Sequence, residues 1–354
     1  MQTYKAAPAE AVPTVSAPAQ LSRFETLDGM RGLAAFIVIL LHLKIVGLGS
    51  WAPDSSYLAV DLFFGLSGFV LAYNYDKRFA RGLTVRKFLW QRVRRLFPLY
   101  YLGLVLSVFV IPISRFSGAW RWCATIAMHL LLLPGAFSPD LFPVDVPAWS
   151  LFFEFWIANV CFALCWRWLH GKRLLVFLGL ITLMLLRYAL MFHTLDMGSR
   201  YPLISGAFPR TLFSFYAGVW MARYYQERKP AFRLPRSIVL AIMLAVFSLS
   251  ASGFLETAQL ACVFFVFPAL LYLGAASDKK HSPLMEWLGD ASYAAYALHW
   301  PVLLALAQFA KVQHWKIAAW QQFVIAILVM VMAYGVHCFL DVPVRRWITR
   351  TWPL

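Results

Sequence analysis

The chain has 354 residues, of which 61% are hydrophobic and only 14% charged, with a formal net charge of +16. That balance excludes a disordered protein, a coiled coil and an ordinary soluble domain, where roughly 45–50% apolar and about 25% charged residues are usual. The apolar stretches suffice for about ten membrane spans of ~20 residues each. The chain therefore reads as all-α, a polytopic membrane helical bundle.

Residues 1–24 are rich in Ala and Pro and lack an apolar core, so they read as a disordered tail and not as a cleavable signal peptide. The membrane unit then occupies 25–350. Apolar segments follow near 32–48, 57–75, 96–114, 119–134, 148–168, 174–192, 205–222, 237–253, 257–276, 290–308 and 319–340. Basic residues concentrate in 77–95, 166–173, 223–236 and 277–281, and in the tail at Arg345, Arg346 and Arg350. Cytoplasmic loops collect Lys and Arg. All these blocks fall on one side only if 119–134 does not cross. That segment is short, opens on Trp120-Arg121-Trp122 and closes on Pro134-Gly135. The expectation is about ten transmembrane helices, one re-entrant or interfacial segment, and both termini cytoplasmic. Topology accounts for most of the positive charge, with a share for anionic lipid or a phosphorylated ligand and none for nucleic acid. Cys123, Cys161, Cys165, Cys262 and Cys338 are odd in number and lack metal-ligand spacing. They read as small apolar side chains, and no metal site is expected.

An ionisable group in lipid costs at least ~2.5–3.5 kcal/mol, so each exception is a functional candidate. Arg31 and His42 are eleven residues apart. At about 3.6 residues per turn that is close to three turns, so both project from one face, ~16 Å apart along the axis. This suits a ligand entering from inside, its charged end at Arg31 and its reactive end at His42. The alternative is that Arg31 snorkels to lipid phosphate and His42 satisfies a carbonyl. Asp61 suits a polar substrate or an ion pair with Arg210, and Gly65 and Gly68 on the same helix permit close helix approach. Ser150 and Glu154 share a face at i,i+4. Glu154 is ~9 Å deep from the outer surface, where it suits orienting a histidine, binding a sugar hydroxyl, or an interhelical hydrogen bond. Ser292, Tyr296 and His299 form a polar stripe ahead of Pro301 that serves either a site or helix packing. Arg187 and His337 have no motif context and read as structural.

Taken in order, these segments resemble acyltransferase family 3, the membrane-bound O-acyltransferases of bacterial surface sugars. The matching pieces are Leu27-Asp28-Gly29-Met30-Arg31-Gly32 leading to His42, then Asp61-Leu62-Phe63-Phe64 and Ser67-Gly68-Phe69. They continue with Arg92-Val93-Arg94-Arg95, Trp149-Ser150-Leu151 with Glu154, Ser292-Tyr293 followed by His299, and Asp341-Val342-Pro343. Members usually carry Glu where Asp341 stands, and often a second acid where this chain has Phe155. The resemblance implies an enzyme of the bacterial inner membrane. It moves an acyl group, by default acetyl, from cytoplasmic acyl-CoA to a hydroxyl of a surface or exported saccharide. Acyl-CoA is then a co-substrate and no cofactor is bound. In that reading His42 is general base and Glu154 orients its imidazole or the acceptor. Arg31, Arg92 and Arg95 hold acyl-CoA. Asp61, Ser67, Trp149, Ser150, Tyr296 and His299 contact the acceptor or the oxyanion. The competing readings are a saccharide or lipid transporter or flippase, and a structural subunit of an export machine.

Overall fold

The computed structural model describes residues 23–112, 116, 118–249, 255–277 and 280–352. Of the tail read as disordered, residues 1–22 lie outside them. The chain folds into helices α1 (Glu25–Ile45), α2 (Ala59–Ala80), α3 (Val85–Val110), α4 (Ala119–Leu130), α5 (Ala148–Cys165) and α6 (Gly171–Phe192). They are followed by α7 (Ile204–Glu227), α8 (Arg236–Phe247), α9 (Ala258–Ala276), α10 (Pro283–Val312) and α11 (Gln321–Thr351). Of these, α1, α2, α3, α5, α6, α9 and α11 are long and apolar enough to cross a membrane. Helices α7 and α10 have 24 and 30 residues. At about 1.5 Å per residue they are long enough to span, but Arg210 in one and Asp290 in the other lower their apolar character. Helix α4 has 12 residues, only ~18 Å of rise against a hydrocarbon core of about 30 Å. It is the segment expected not to cross. Helix α8 is equally short, and residues 250–254, most of which the expected span included, lie outside the described ones. The architecture is that of a multi-pass membrane protein.

Two helices run well beyond their apolar segments. Helix α3 starts inside the basic block, where the Thr84 side chain caps it by accepting from the Lys87 amide at 3.3 Å. The turn before it uses Gly82 at φ +93°, a conformation glycine adopts without steric cost. Helix α11 continues through Asp341 and Pro343 to Thr351. Arg, Lys, Gln and Leu are good helix formers, so hydropathy marks where lipid ends and not where the helix ends. These extensions carry Arg92, Arg94, Arg95 and Arg345 as helical residues along one cavity.

The tightest packing is between α2 and α7. A Cβ at Gly68 would collide with the Phe215 carbonyl, and one at Gly218 with the Gly65 carbonyl. Small residues here let the two backbones touch. Gly68→Leu is expected to destabilise the detergent-purified protein by about 1–3 kcal/mol or more, read as an earlier thermal unfolding transition. An unchanged transition would contradict the backbone contact. Helices α1 and α10 meet in the same manner, with Gly32 against the Leu288 backbone. This contact brings Arg31 alongside Gly289.

Candidate active site

A cavity of about 450 Å³ opens between α2, α3, α5, α10 and the end of α11. It is lined by Arg31, Arg78, Arg92, Arg94, Arg95 and Arg345. Ser67, Glu154, Ser150 and Tyr296 line it as well, with Arg92 next to Glu154. Against six arginines the lining holds one carboxylate, Glu154. Three of the arginines have carboxylate partners. Arg31 donates from Nε to Ser292 Oγ at 2.8 Å, and from Nη2 to Asp28 Oδ1 at 3.0 Å and the Gly289 carbonyl at 2.8 Å. Arg345 is paired with Asp341 one turn before it. Arg92 donates from Nη2 to Glu154 Oε1 at 3.0 Å. Arg78, Arg94 and Arg95 make no ion pair among the described residues. A half-enclosed space with this surplus of guanidinium groups favours a ligand with several negative charges, phosphates above all.

Arg92, Glu154 and Ser67 lie together on the cavity wall. Arg92, expected on acyl-CoA, pairs with Glu154 through Nη2, while its Nε has no hydrogen-bond partner among the described residues and its side chain lines the cavity. Glu154, expected to orient His42 or the acceptor, accepts from Arg92 and from Ser67 Oγ at 2.7 Å and makes no hydrogen bond to His42. Ser67 thereby spends its only proton on Glu154 and has none for an oxyanion. Helix α5 widens to π-helical turns over Phe153–Asn159, a local distortion frequent at functional sites. It brings Glu154 to the cavity.

The partner of His42 comes from α10. His299 Nδ1 faces the carbonyls of Ala295 and Tyr296 at 3.0 and 2.8 Å. Carbonyls only accept, so this nitrogen carries the proton and Nε2 keeps its lone pair. His42 Nδ1 lies 2.9 Å from the Val38 carbonyl and 3.1 Å from His299 Nε2. It too must be the protonated nitrogen, donating to both. The lone pair of His42 is then on Nε2, the position a general base needs. Trp300 packs edge-on to the His42 ring, with centroids 5.4 Å apart. Tyr296 stands between the two features. It lines the cavity, and its ring centroid is 5.8 Å from that of His299. Its hydroxyl donates to the Pro147 carbonyl at 2.9 Å and pairs with Ser150 Oγ at 2.5 Å. With both hydroxyl protons used inside this cluster, neither Ser150 nor Tyr296 presents a free donor to an oxyanion as it stands.

Acyltransferase family 3, described as an acyltransferase domain, matches residues 24–340. The chain belongs to this family. Among family-3 relatives, protein 2 of the picA locus of Rhizobium radiobacter is 40% identical over 164 residues, 41% of this chain and 82% of that protein. The peptidoglycan O-acetyltransferase OatA of Listeria monocytogenes is 36% identical over 87 residues, 23% of this chain but only 13% of that protein. No solved structure matches the chain.

Within this family-3 chain the remaining expected site residues take other places. Asp61, expected on a polar substrate or in an ion pair with Arg210, is enclosed with Arg210, each side chain 1% exposed. Arg210 donates to Asp61 Oδ1 and Oδ2 through Nε and to Oδ2 through Nη2 at 2.7 Å. The Met197 and Tyr57 carbonyls and Ser214 complete the shell. Asp61 reaches no ligand without breaking this pair. Trp149 lies over the same guanidinium, with its ring centroid 5.7 Å from Cζ, and is absent from the cavity wall. Its place is packing around the ion pair. His299, expected on the acceptor, touches His42. Sequence reasoning missed Arg78, Arg94 and Arg345 because a basic block at a membrane boundary already has a topological explanation. It also missed Asp145, which lies outside the spanning helices. That residue is 4% exposed, and neither oxygen has a hydrogen bond or ion pair among the described residues. Burial pushes its carboxyl up to about 7.

Proposed function

We propose that this membrane O-acyltransferase takes its acyl group from acyl-CoA, by default acetyl-CoA, and delivers it to a hydroxyl of a surface or exported saccharide. The observation that carries this reading is the arginine-lined cavity that ends one side chain, Tyr296, short of the His42–His299 pair. The phosphates of CoA suit Arg78, Arg94, Arg95 and the accessible edge of Arg31, and the pantetheine arm suits the inner half of the cavity. Tyr296 turns aside from Ser150 to admit the thioester. The acceptor oxygen attacks the thioester carbonyl as His42 Nε2 takes the hydroxyl proton. The C–S bond breaks, and the proton passes to the departing thiolate. His299 holds the His42 ring through its Nδ1–H and leaves the basic nitrogen free. The basic end of the bundle then faces the cytoplasm, where acyl-CoA is made. In this reading both termini lie on that side and the protein belongs to the bacterial inner membrane. Peptidoglycan is the substrate that the name of the Listeria relative gives, and a glycan of this kind is the acceptor class in our reading.

Each charge-assisted hydrogen bond contributes about 1.5–3 kcal/mol. Arg94→Ala and Arg95→Ala are therefore each expected to raise the KM for acetyl-CoA by ~10–100-fold with a smaller change in kcat. Turnover is read as thiol release by purified protein in detergent. Unchanged KM in both variants would reduce the basic block to topology. Acyl transfer to a soluble acceptor without vesicles would exclude a transporter, and its absence with every acyl-CoA would sink the enzyme reading.

A further inference from the structure

One corner of the cavity lies far from the histidine pair. Along α2 the cavity wall runs from Phe63 past Ser67 to Arg78. The Phe63 ring centroid is 5.5 Å from that of Tyr296, the residue beside His299. Arg78 stands fifteen residues further along the helix, ~22 Å at about 1.5 Å per residue. Tyr75 on α2 and Gln91 on α3 line the cavity with it.

Tyr75 joins the two helices at this corner. Its ring packs edge-on to Phe88 with centroids 5.1 Å apart, and its hydroxyl donates to Gln91 Oε1 at 3.0 Å. That bond orients the amide. Oε1 keeps a second lone pair, and Nε2 holds two protons with no hydrogen-bond partner among the described residues. Arg78 Cζ lies 4.8 Å from the centroid of the Tyr75 ring. One face of the planar guanidinium is thereby covered, and the other is left for a second flat group. Arg94 and Arg95 follow Gln91 by three and four residues and share its face of α3.

A phosphate takes donors only, and the neighbouring arginines supply those. The neutral amide of Gln91 offers something else, an acceptor and a donor side by side. That pattern matches the amino group and adjacent ring nitrogen of adenine, the pair that Asn and Gln bind with two hydrogen bonds. Guanine presents two acceptors at the same edge and leaves Oε1 without a proton. A guanidinium plane stacks on a base, which is what the open face of Arg78 provides.

We infer that Gln91 and Arg78 bind the adenine ring of the acyl donor, Gln91 by hydrogen bonds to the edge and Arg78 by stacking. The inference rests on the acyl-CoA reading above and adds to it a subsite that recognises the base. The thioester and the adenine are opposite ends of acyl-CoA, so a thioester at Tyr296 puts the base at the far corner. Arg94 and Arg95, one turn from Gln91, then meet the phosphates that flank the adenosine.

The test uses the full chain in detergent and thiol release from acetyl-CoA. Gln91→Leu removes the hydrogen bonds, and Arg78→Lys removes the plane. Neither changes the net charge, so the attraction for phosphate remains. Each is expected to raise the KM for acetyl-CoA by about tenfold. The inhibition constant of adenosine 3′,5′-bisphosphate is expected to rise by a similar factor, and that of inorganic pyrophosphate to stay within a factor of two. Equal rises for both inhibitors, no rise for the bisphosphate, or a bisphosphate that does not inhibit the wild type overturns the assignment. A wild-type protein that releases no thiol in a His42-dependent manner would instead overturn the acyltransferase reading itself.

Discussion

His42→Ala is expected to lower acyl transfer by about 10²–10⁴-fold, the contribution of a well-placed general base, while the protein still inserts and unfolds at the wild-type temperature. The reason is specific to this ring. Its Nδ1–H is held by the Val38 carbonyl and by His299 Nε2, so the one basic position is Nε2, and alanine removes it without disturbing a buried charge. His299→Leu is expected to cost less. The Val38 carbonyl still holds the tautomer, and only the second anchor of the ring is lost. Thiol release from acetyl-CoA by the purified protein measures both. Wild-type turnover in a folded His42→Ala protein would remove His42 from the chemistry. An equal loss in both variants would make the pair, and not His42 alone, the catalytic unit.

The largest effect on stability is expected at Asp61. Asp61→Ala leaves the Arg210 guanidinium buried without its counter-charge, which costs about 3–5 kcal/mol. Five hydrogen bonds from Arg210 and one from Ser214 depend on this arrangement. The variant is expected to lose its monodisperse detergent-solubilised peak at a much lower temperature than wild type. The double replacement Asp61→Leu with Arg210→Met removes both charges and is expected to recover much of the loss, because well-packed apolar side chains often replace a buried pair without penalty. A wild-type unfolding temperature in Asp61→Ala would return Asp61 to the pool of ligand-binding residues.

Part of the candidate site is legible in the amino-acid sequence. Arg31, His42, Asp61, Glu154 and His299 stand out because each interrupts an apolar run, and the cost of burying such a group follows from its immediate neighbours in the chain. The family resemblance adds the order of the motifs. Their partners are not legible there. A triad-like pairing of Glu154 with His42 is chemically plausible, yet Glu154 turns to Arg92 and His42 to His299, 257 residues away. Asp145 escapes attention in the sequence because a loop acid is ordinarily solvated. Its burial depends on how the segment before α5 folds back between α3 and α10.

Sequence alone determined the class of the molecule and the approximate limits of its helices. An apolar run of span length has no stable place outside lipid, and within lipid its backbone must satisfy itself as a helix. The same local reasoning identified α4 as too short to cross. Tertiary structure alone decided where α3 and α11 start and stop relative to the cavity, and which six arginines gather there. It also decided which histidine nitrogen is left basic and which buried acid has a partner. Those outcomes depend on the rotation of each helix about its axis and its depth against its neighbours. Such variables are set by close contacts such as Gly68 on Phe215 and Gly32 on Leu288, between residues far apart in the chain, so spacing within one helix does not encode them.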